Sequence, residues 1–389
     1  MDTNDFLGSF AQENVTFTTR VVRTSTVGDT YWKVMIFVEN DRFVDSTASD
    51  WSAVPGSSSL KALAVTADDY AGYTTGVLQS WLYDLFCSGF TGDCILVACT
   101  SSGAPDSSAF ISSMETAYEL LKAYAYHKTV CAAPTLSKDA TFVLDTDVAV
   151  SLAKLCAGDK NLLSSAPYFP FTTSSPEDAS TDVLYSALKA ASADAFMTAY
   201  QDSTRNGALF SLGLAMSTFN SSNTCVGNAL DMVATAMINC SGKDGANLSK
   251  GIRSSLSSLN IQTFKPVGDN SGNVAAVGAS TINGEVVSAN WILAYVAFMV
   301  KVRIAQMLTS GNFLRNEANY TTILNVMASM IQLFGSNGSG RLSNVVITAP
   351  AFGSLPSSGD EIVIDNAWSA TYVDQVRSVA ITGTLYIGV

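Results

Sequence analysis

The sequence predicts an α+β fold organised in two domains, and three observations support this prediction. The chain has 389 residues, which exceeds one ordinary hydrophobic core, because domains usually hold about 100 to 200 residues. Strand-like patterns open the chain and return after Asn260, whereas strands and helices alternate in the region between them. We therefore predict N-terminal strands within residues 1–45, an α/β domain over 60–242 and a further β-containing part over 245–389.

The N-terminal segment has the two-residue period that is typical of a half-buried strand. Apolar Val15, Phe17 and Val21 alternate with polar neighbours, and Tyr31–Val38 is a second strand-like run. The stretch Ser46–Ser59 is rich in small, turn-forming residues. We expect a linker or a crossing between domains at that stretch.

The middle region alternates between amphipathic helices and short apolar strands. Ser112 and Glu115 form a capping box, which predicts a helix that ends near Tyr126. Gly158 is the type of residue that ends a helix. The predicted elements are helices over 74–86, 112–126, 148–157, 183–200 and 226–239, an apolar segment over 208–216, and strands over Cys94–Cys99, Thr129–Ala133 and Thr141–Leu144.

The C-terminal part begins with a predicted β-hairpin, because a Gly-rich and Asn-rich turn joins two apolar runs. Two long amphipathic helices follow the hairpin. The predicted elements are strands over Ile261–Val267 and Val274–Ser280, helices over Ser288–Leu308 and Tyr320–Leu333, and strands over Asn344–Ala349 and Glu361–Ile364.

The last segment, Val376–Val389, has the clearest two-faced pattern in the chain. One face is apolar and the other is mostly Ser and Thr, as expected of a strand with one buried side. Gly383 lies in its middle, where we expect a bulge. The apolar face consists of Val379, Ile381, Leu385, Ile387 and Val389.

Composition and charge exclude several classes of protein. Only 14% of the residues are charged, against roughly 25% in typical soluble domains, which suits either a polar, weakly charged surface or one covered by neighbours. The net charge of −12, without any run of basic residues, argues against nucleic acid as a partner. The most apolar stretch, Trp291–Val300, is too short to span a membrane, and the first ten residues do not resemble a secretory signal.

No pattern in the sequence predicts a catalytic, cofactor or metal site. A catalytic triad would depend on the single histidine, His127, for which a loop position is the simpler interpretation. The seven cysteines are dispersed without a CxxC pair, so we expect reduced, buried thiols and no zinc site. A metal or acid–base site could be formed by Asp139, Asp145 and Asp147, which lie close to the end of a predicted strand. A helix cap at Asp147 is the simpler interpretation. The SxxK match at Ser151–Lys154 lacks its companion motifs.

The order of elements over roughly the last 180 residues resembles the contractile tail sheath family, which includes phage tails, R-type pyocins and type VI secretion sheaths. The residues that carry the resemblance are Leu259–Ile261 followed by the hairpin, Gly278 and Thr281, then the helix from Trp291 to Leu308 and the closing strand Val376–Val389. Sheaths commonly have a basic residue just before the position of Thr281, whereas this chain has Ser280 there.

The resemblance implies a short sheath whose inner α/β sandwich is built from both termini and whose middle domain is an outward-facing insertion. It also implies a structural subunit that polymerises helically around a tail tube and contracts to drive the tube through a host envelope. The expected partners are further copies of the chain, the tail tube protein, and baseplate and tail terminator proteins. The expected location is the virion tail, after assembly in the host cytoplasm.

Two sets of residues follow as candidate assembly sites. Strands exchanged between subunits would use the apolar face of the last segment together with Val15, Phe17 and Val21 of the N-terminal strand. Residues 285–341 carry four basic residues against two acidic ones, so this region either faces an acidic tube or has ordinary solvated helix ends. The candidate tube-facing residues are Lys301, Arg303 and Arg315.

Two other classes of function stay open from the sequence. A capsid or adhesin fits the composition as well as a sheath does. An α/β enzyme would need a polar cluster that the sequence does not display.

Overall fold

A five-stranded sheet forms the centre of the fold, in the order β2-β3-β4-β1-β5. The computed structural model describes residues 33–39, 51–74, 76–99, 107–121, 129–132, 146–158, 168–170, 180–198, 209–210, 213, 234–236, 249–266, 273–278, 280–309, 314–336, 340–355 and 368–373. The five strands are β1 (Lys33–Glu39), β2 (Ser52–Ala53), β3 (Lys61–Val65), β4 (Cys94–Cys99) and β5 (Thr129–Ala132).

The half of this sheet from β4 to β5 is parallel, and the half from β2 to β4 is antiparallel. β1 lies between β4 and β5 and pairs parallel with both, with Val34 opposite Cys94 and also opposite Val130. β3 pairs antiparallel with β4, and β2 pairs antiparallel with β3. The continuous apolar runs of β1 and β4 suit strands that are covered on both faces.

Helices cover both faces of the central sheet. They are α1 (Tyr70–Tyr73), α2 (Gly76–Cys87), α3 (Ser107–Leu121), α4 (Thr146–Gly158), α5 (Val183–Ala190), α6 (Lys250–Ser258), α7 (Val287–Leu308) and α8 (Glu317–Gln332). Val34, Ile36 and Val38 of β1 face a first core, to which α2, α7 and α8 contribute. Met35 and Phe37 face a second core, formed with α3, α4, α5 and α6. The described residues therefore form three layers, in which the central sheet lies between two layers of helices.

Smaller sheets complete the described fold. β6 (Tyr168–Pro170) pairs parallel with β7 (Phe196–Thr198), and Thr198 bridges to Gln262 just before β9 (Thr263–Pro266). β9 and β10 (Asn273–Val277) form the predicted hairpin, and β8 (Ala234–Ala236) pairs with the other edge of β10. A separate antiparallel ribbon consists of β11 (Leu342–Ile347) and β12 (Trp368–Tyr372).

Most of the predicted elements within the described residues are confirmed, with three corrections. The capping box is wrong, because α3 begins at Ser107 and runs through Ser112 and Glu115. The helix predicted to reach Tyr200 ends at Ala190 and is followed by β7, and part of the helix predicted over 226–239 is β8. β12 was not predicted.

The early end of α5 has a clear physical cause. Ser192 has a left-handed backbone with φ of 52°, and the backbone N–H groups of Ser192 and Ala193 donate to the carbonyl oxygens of Lys189 and Leu188. This pair of bonds is the Schellman motif, in which Gly is the usual residue. Because Ser occupies that position here, the sequence lacks the ordinary signal for a helix end.

The predicted domain limits at residues 45, 60, 242 and 245 remain a prediction. Within the described residues, the central sheet combines β1 of the predicted N-terminal segment with β3, β4 and β5 of the predicted middle domain. The first core likewise joins α2 of the middle segment to α7 and α8 of the C-terminal part. A boundary between residues 45 and 60 would separate strands that pair with each other.

The described helices include none that is both long enough and apolar enough to cross a membrane. Thr141–Leu144, Glu361–Ile364, Val15–Val21 and Val376–Val389 lie outside the described residues, as do His127, Asp139 and Asp145.

Candidate assembly interface

Some of the residues that carry the resemblance, among them Asn260, Gly278 and Thr281, lie at one junction. Asn260 has a left-handed backbone with φ of 59° and ends α6 through a second Schellman motif, in which the Ile261 N–H donates to the Leu256 carbonyl. The Asn260 side chain also donates to the carbonyl oxygen of Ile282, at 3.4 Å. The side chain of this residue therefore links the end of α6 to the turn before α7.

Gly278 lies where two backbones approach closely. Its φ is +110°, and a Cβ atom at this position would lie 3.3 Å from the Cα of Gln262. The Gln262 side-chain amide donates to the Gly278 carbonyl oxygen at 3.0 Å. Both the backbone conformation and the available space favour glycine here.

Asp194 completes the junction, and it is not among the site residues predicted from the sequence. Its carboxylate accepts a hydrogen bond from the Thr281 hydroxyl at 2.8 Å and from the backbone N–H groups of Ala195 and Asn283 at 3.1 and 3.3 Å. Burial raises the pKa of Asp194, the hydrogen bonds from Thr281 and Asn283 lower it, and Glu285 raises it. No local sequence pattern marks this residue, because its main partner is distant in the chain.

The junction fixes the turn over residues 281–285, which leads into α7. The Ile282 N–H donates to the Ala195 carbonyl and the Thr281 N–H to the Glu285 carbonyl, both at 2.8 Å. The Lys189 ammonium group donates to the Ile282 carbonyl at 3.3 Å and to the Asn283 side chain at 3.1 Å. These bonds hold the turn before α7 against Lys189 of α5 and against Ala195.

The predicted tube-facing residues lie on the hairpin formed by α7 and α8. Arg303 is exposed on α7, and Arg315 is half-buried just before Asn316, whose side chain caps α8 by accepting from the Asn319 N–H at 2.8 Å. Lys301 is on α7, where only its backbone is described. Leu314, beside Arg315, is 68% exposed. The structure brings these residues to one hairpin, and their contact with a tube remains a prediction.

The β11–β12 ribbon is a two-faced surface element. Val345 of β11 and Trp368, Ala370 and Tyr372 of β12 pack against the first core, beside buried Leu342. Ser369 and Thr371, which alternate with those β12 residues, are exposed, as is Val346 at 50%. Among the described residues, neither strand pairs with a third strand.

A bulge interrupts β11 but not β12. Ser343 is opposite Thr371 and Val346 is opposite Ser369, so Asn344 and Val345 together face the single residue between those β12 positions. Asn344 has a left-handed φ of 51°, which is typical of a bulge. The bulge turns Val345 toward the core and Val346 toward solvent.

Within the described part of the chain, no three or more His, Cys, Asp or Glu residues are arranged to hold a metal ion. The Ser151 hydroxyl of the SxxK match donates to the Glu115 carboxylate at 2.9 Å, and Lys154 is exposed. Asp147 lies in the first turn of α4, where a carboxylate favours the helix N-terminus. Ser151 and Glu115 thus join α4 to α3.

Cys94, Cys99 and Cys156 are buried, and none of the cysteine side chains that the structure describes forms a disulfide. Burial raises the pKa of Cys99 to about 12, while its hydrogen bond with Ser113 lowers it. Burial also raises the pKa of Cys94, well above its ordinary range. These two thiols are therefore poor nucleophiles at neutral pH.

The sequence matches no protein-family model and no curated protein. The fold is similar to that of a chain in the cryo-EM structure of the anti-feeding prophage (AFP) baseplate, with a TM-score of 0.60, 8% sequence identity, and coverage of 93% of this chain and 95% of that one. A chain of an extracellular contractile injection system, the PVC sheath complex in its contracted state, gives a TM-score of 0.49 at 10% identity and 94% coverage of both chains. The likeness to the baseplate chain confirms the α+β fold, and this protein shares the fold of that chain.

Proposed function

We propose that this chain is a structural subunit of a contractile tail sheath, which polymerises helically around a tail tube and contracts to drive that tube through a host envelope. The observation that carries the proposal is the β11–β12 ribbon, a surface sheet with one apolar and one polar face on a fold shared with a contractile injection system component. The partners are further copies of the chain, the tail tube, and baseplate and terminator proteins. The subunit would work in the virion tail and would not act as an enzyme.

The ribbon has one apolar face and one mostly polar face, and so do the strands that we predict to be exchanged between subunits. A strand that joins its sheet would place alternate side chains beside the apolar inner face and beside Ser369 and Thr371 on the outer face. The last segment has this composition, with five apolar residues on one face and mostly Ser and Thr on the other. The N-terminal strand, with Val15, Phe17 and Val21, is the second candidate donor.

Strand exchange provides enough free energy to hold subunits together. Each backbone hydrogen bond contributes only about 0.5 to 1.5 kcal/mol net. Burial of the five apolar side chains adds on the order of 7 to 15 kcal/mol as an upper bound, at about 1.5 to 3 kcal/mol each. Subunits linked in this way stay connected while they rearrange.

Contraction would then be a movement of rigid subunits around these strand links. The two cores fix the helices on both faces of the central sheet, so the sandwich is suited to move as a unit. The driving force is the more favourable packing of the contracted lattice. Arg303 and Arg315, together with Lys301, would face the tail tube through the α7–α8 hairpin.

Removal of Val379–Val389 tests the proposal. We expect a folded monomer, with the far-ultraviolet circular dichroism spectrum of the full chain, that forms no tubes by negative-stain microscopy. Two double variants test whether the apolar face of this segment is required. Ile381→Asp with Leu385→Asp, on the apolar face, should abolish tubes. Thr382→Ser with Thr384→Ser, on the polar face, should leave tube formation unchanged. Long tubes from the truncated chain would overturn the proposal.

A second candidate function is a related subunit located in the baseplate, which the likeness to the AFP baseplate chain favours. Such a subunit would form rings or short stacks, whereas a sheath subunit forms long hollow cylinders. Electron microscopy of the purified full chain distinguishes the two, and closed shells would indicate a capsid instead.

A further inference from the structure

We infer that Tyr320 is a positioning residue, which fastens the start of α8 to the chain that leaves β11 and thereby sets where Arg315 lies relative to the β11–β12 ribbon. The chain that leaves β11, residues 348–355, is called the strap. This inference rests on the proposed function, because it connects the surface assigned to neighbouring copies with an arginine assigned to the tail tube.

Tyr320 contacts the strap through both its hydroxyl group and its ring. The hydroxyl donates to the carbonyl oxygen of Pro350 at 2.6 Å, which is a short hydrogen bond. The ring of Phe352 lies against that of Tyr320, with the centroids 5.8 Å apart and an angle of 44° between the planes. Because Tyr320 is only 3% exposed, water has little access to replace these contacts.

The backbone of the strap has little freedom to bend where it meets Tyr320. Proline at position 350 fixes its own φ and favours an extended residue before it. Ala351 is also extended, with ψ of 144°, and precedes a short 3₁₀ helix, Phe352–Ser354. The Ser354 N–H closes that turn by donating to the Ala351 carbonyl at 2.9 Å. The carbonyl and the ring that contact Tyr320 are therefore presented by an ordered backbone.

α8 and β11 are fastened to each other at both ends. At the far end, just after α8, the Leu342 N–H donates to the Phe334 carbonyl at 2.7 Å. At a helical rise of roughly 1.5 Å per residue, Tyr320 and Phe334 are about 21 Å apart along the helix. A strand of six residues, the length of β11, covers about 20 Å. The strand is thus long enough to return along α8, and the strap contacts the helix at its start.

Hydrogen bonds connect Tyr320 to both neighbours of Arg315. The Tyr320 N–H donates to the Asn316 carbonyl at 3.0 Å, and Asn316 caps the helix. The Asn319 side chain donates to the Leu314 carbonyl at 2.7 Å. Since Arg315 lies between Leu314 and Asn316, the first turn of α8 holds the backbone on either side of it. Release of the strap from Tyr320 would loosen this turn, while the far end of β11 would stay fastened.

Hydrogen exchange of the full chain, measured by mass spectrometry of its peptides, tests the contact without any tube. Tyr320→Phe keeps the ring and removes the donor, whereas Phe352→Leu removes the ring contact and keeps an apolar side chain. In both variants we expect the backbone amides of residues 316–320 and 352–355 to exchange about fivefold to tenfold faster, because one contact fewer opposes local opening.

Two comparisons show whether the effect is local. Amides over 340–347, at the far end of the strap, should exchange as in the parent chain. Tyr185→Phe, which removes the hydroxyl of a buried tyrosine in the second core, should leave exchange over 316–320 unchanged. Unchanged exchange over 316–320 in Tyr320→Phe would overturn the inference. Equal acceleration in every peptide would also overturn it, since that result would indicate only a general loss of stability.

A double-mutant cycle tests the effect on Arg315. The rate of assembly on purified tail tube is measured for the parent chain, Tyr320→Phe, Arg315→Glu and the double variant. If Tyr320 positions Arg315, the slowing caused by the charge reversal should be smaller by about threefold or more in the Tyr320→Phe background. Independent effects of the two substitutions would rule out the positioning role. A parent chain that does not assemble on tubes would contradict the proposed function, whereas hydrogen exchange would still decide the contact.

Discussion

The hydroxyl group of Thr281 donates a hydrogen bond of 2.8 Å to the carboxylate of Asp194, although 87 residues separate the two in the sequence. The same hydroxyl accepts from the Glu285 N–H at 3.1 Å, so one side chain joins the end of α5 to the turn that begins α7. This contact therefore helps to hold the turn from which α7 begins.

The raised pKa of Asp194 predicts a specific pH dependence of stability. Because the pKa is higher in the folded protein than its ordinary value of 3.8, the folded state binds the proton more tightly than the unfolded state does. The stability that this group contributes is fully present below that ordinary value and is lost as the pH rises through the folded pKa. Asp194→Asn removes the titration.

Urea denaturation of the full chain and of Asp194→Asn, at several pH values from the ordinary value upward, measures this effect. The difference in unfolding free energy, wild type minus variant, should decrease as the pH rises through the folded pKa and then become constant. A difference that stays the same at every pH would contradict the prediction. Asp68→Asn, at an exposed position just before α1, serves as the control.

Gly278→Ala should destabilise the fold by about 1 to 3 kcal/mol, because alanine is strained at a φ of +110° and its Cβ would crowd the Gln262 backbone. Gly353→Ala is the matched control, since nothing lies within 4 Å of a Cβ at that position. We expect the control to change stability by less than about 0.5 kcal/mol in urea denaturation. Equal effects of the two substitutions would show that Gly278 is not required for the close approach.

Reversal of charge at Arg303 and Arg315 should slow assembly on an acidic tail tube by about tenfold or more, because long-range attraction sets the rate of association. Lys154→Glu with Lys250→Glu is the control, since it also reverses two charges, at exposed positions on α4 and α6. Light scattering with purified tube as a template measures the rate. If the Arg303→Glu, Arg315→Glu variant assembled at an unchanged rate, the alternative interpretation would be favoured, in which these arginines lie at ordinary solvated helix ends.

The sequence was sufficient to predict elements whose signal is local. The continuous apolar runs of β1 and β4 and the long periodic patterns of α7 and α8 each cover enough residues to be distinct. The hairpin of β9 and β10 has a turn rich in glycine and asparagine, which predicts an antiparallel pair.

Features that depend on distant residues could not be predicted in this way. Nothing local in β1 indicates that it pairs with both β4 and β5, because parallel partners are joined by long crossovers. Asp194 resembles any polar residue after a helix until its contact with Thr281 is known. Ser192 ends α5 without the glycine that usually marks a left-handed helix end.

The position of β1 between two strands that follow it in the sequence has a consequence for biosynthesis. Its partners β4 and β5 are translated after it, so both edges of the new strand stay unpaired until Cys94–Cys99 has left the ribosome, and one edge stays unpaired until Thr129–Ala132 has followed. Five of its residues are fully buried in the finished protein, and such a segment is prone to pair with other chains while it is exposed. During synthesis, therefore, this segment is exposed to aggregation before its partner strands are available.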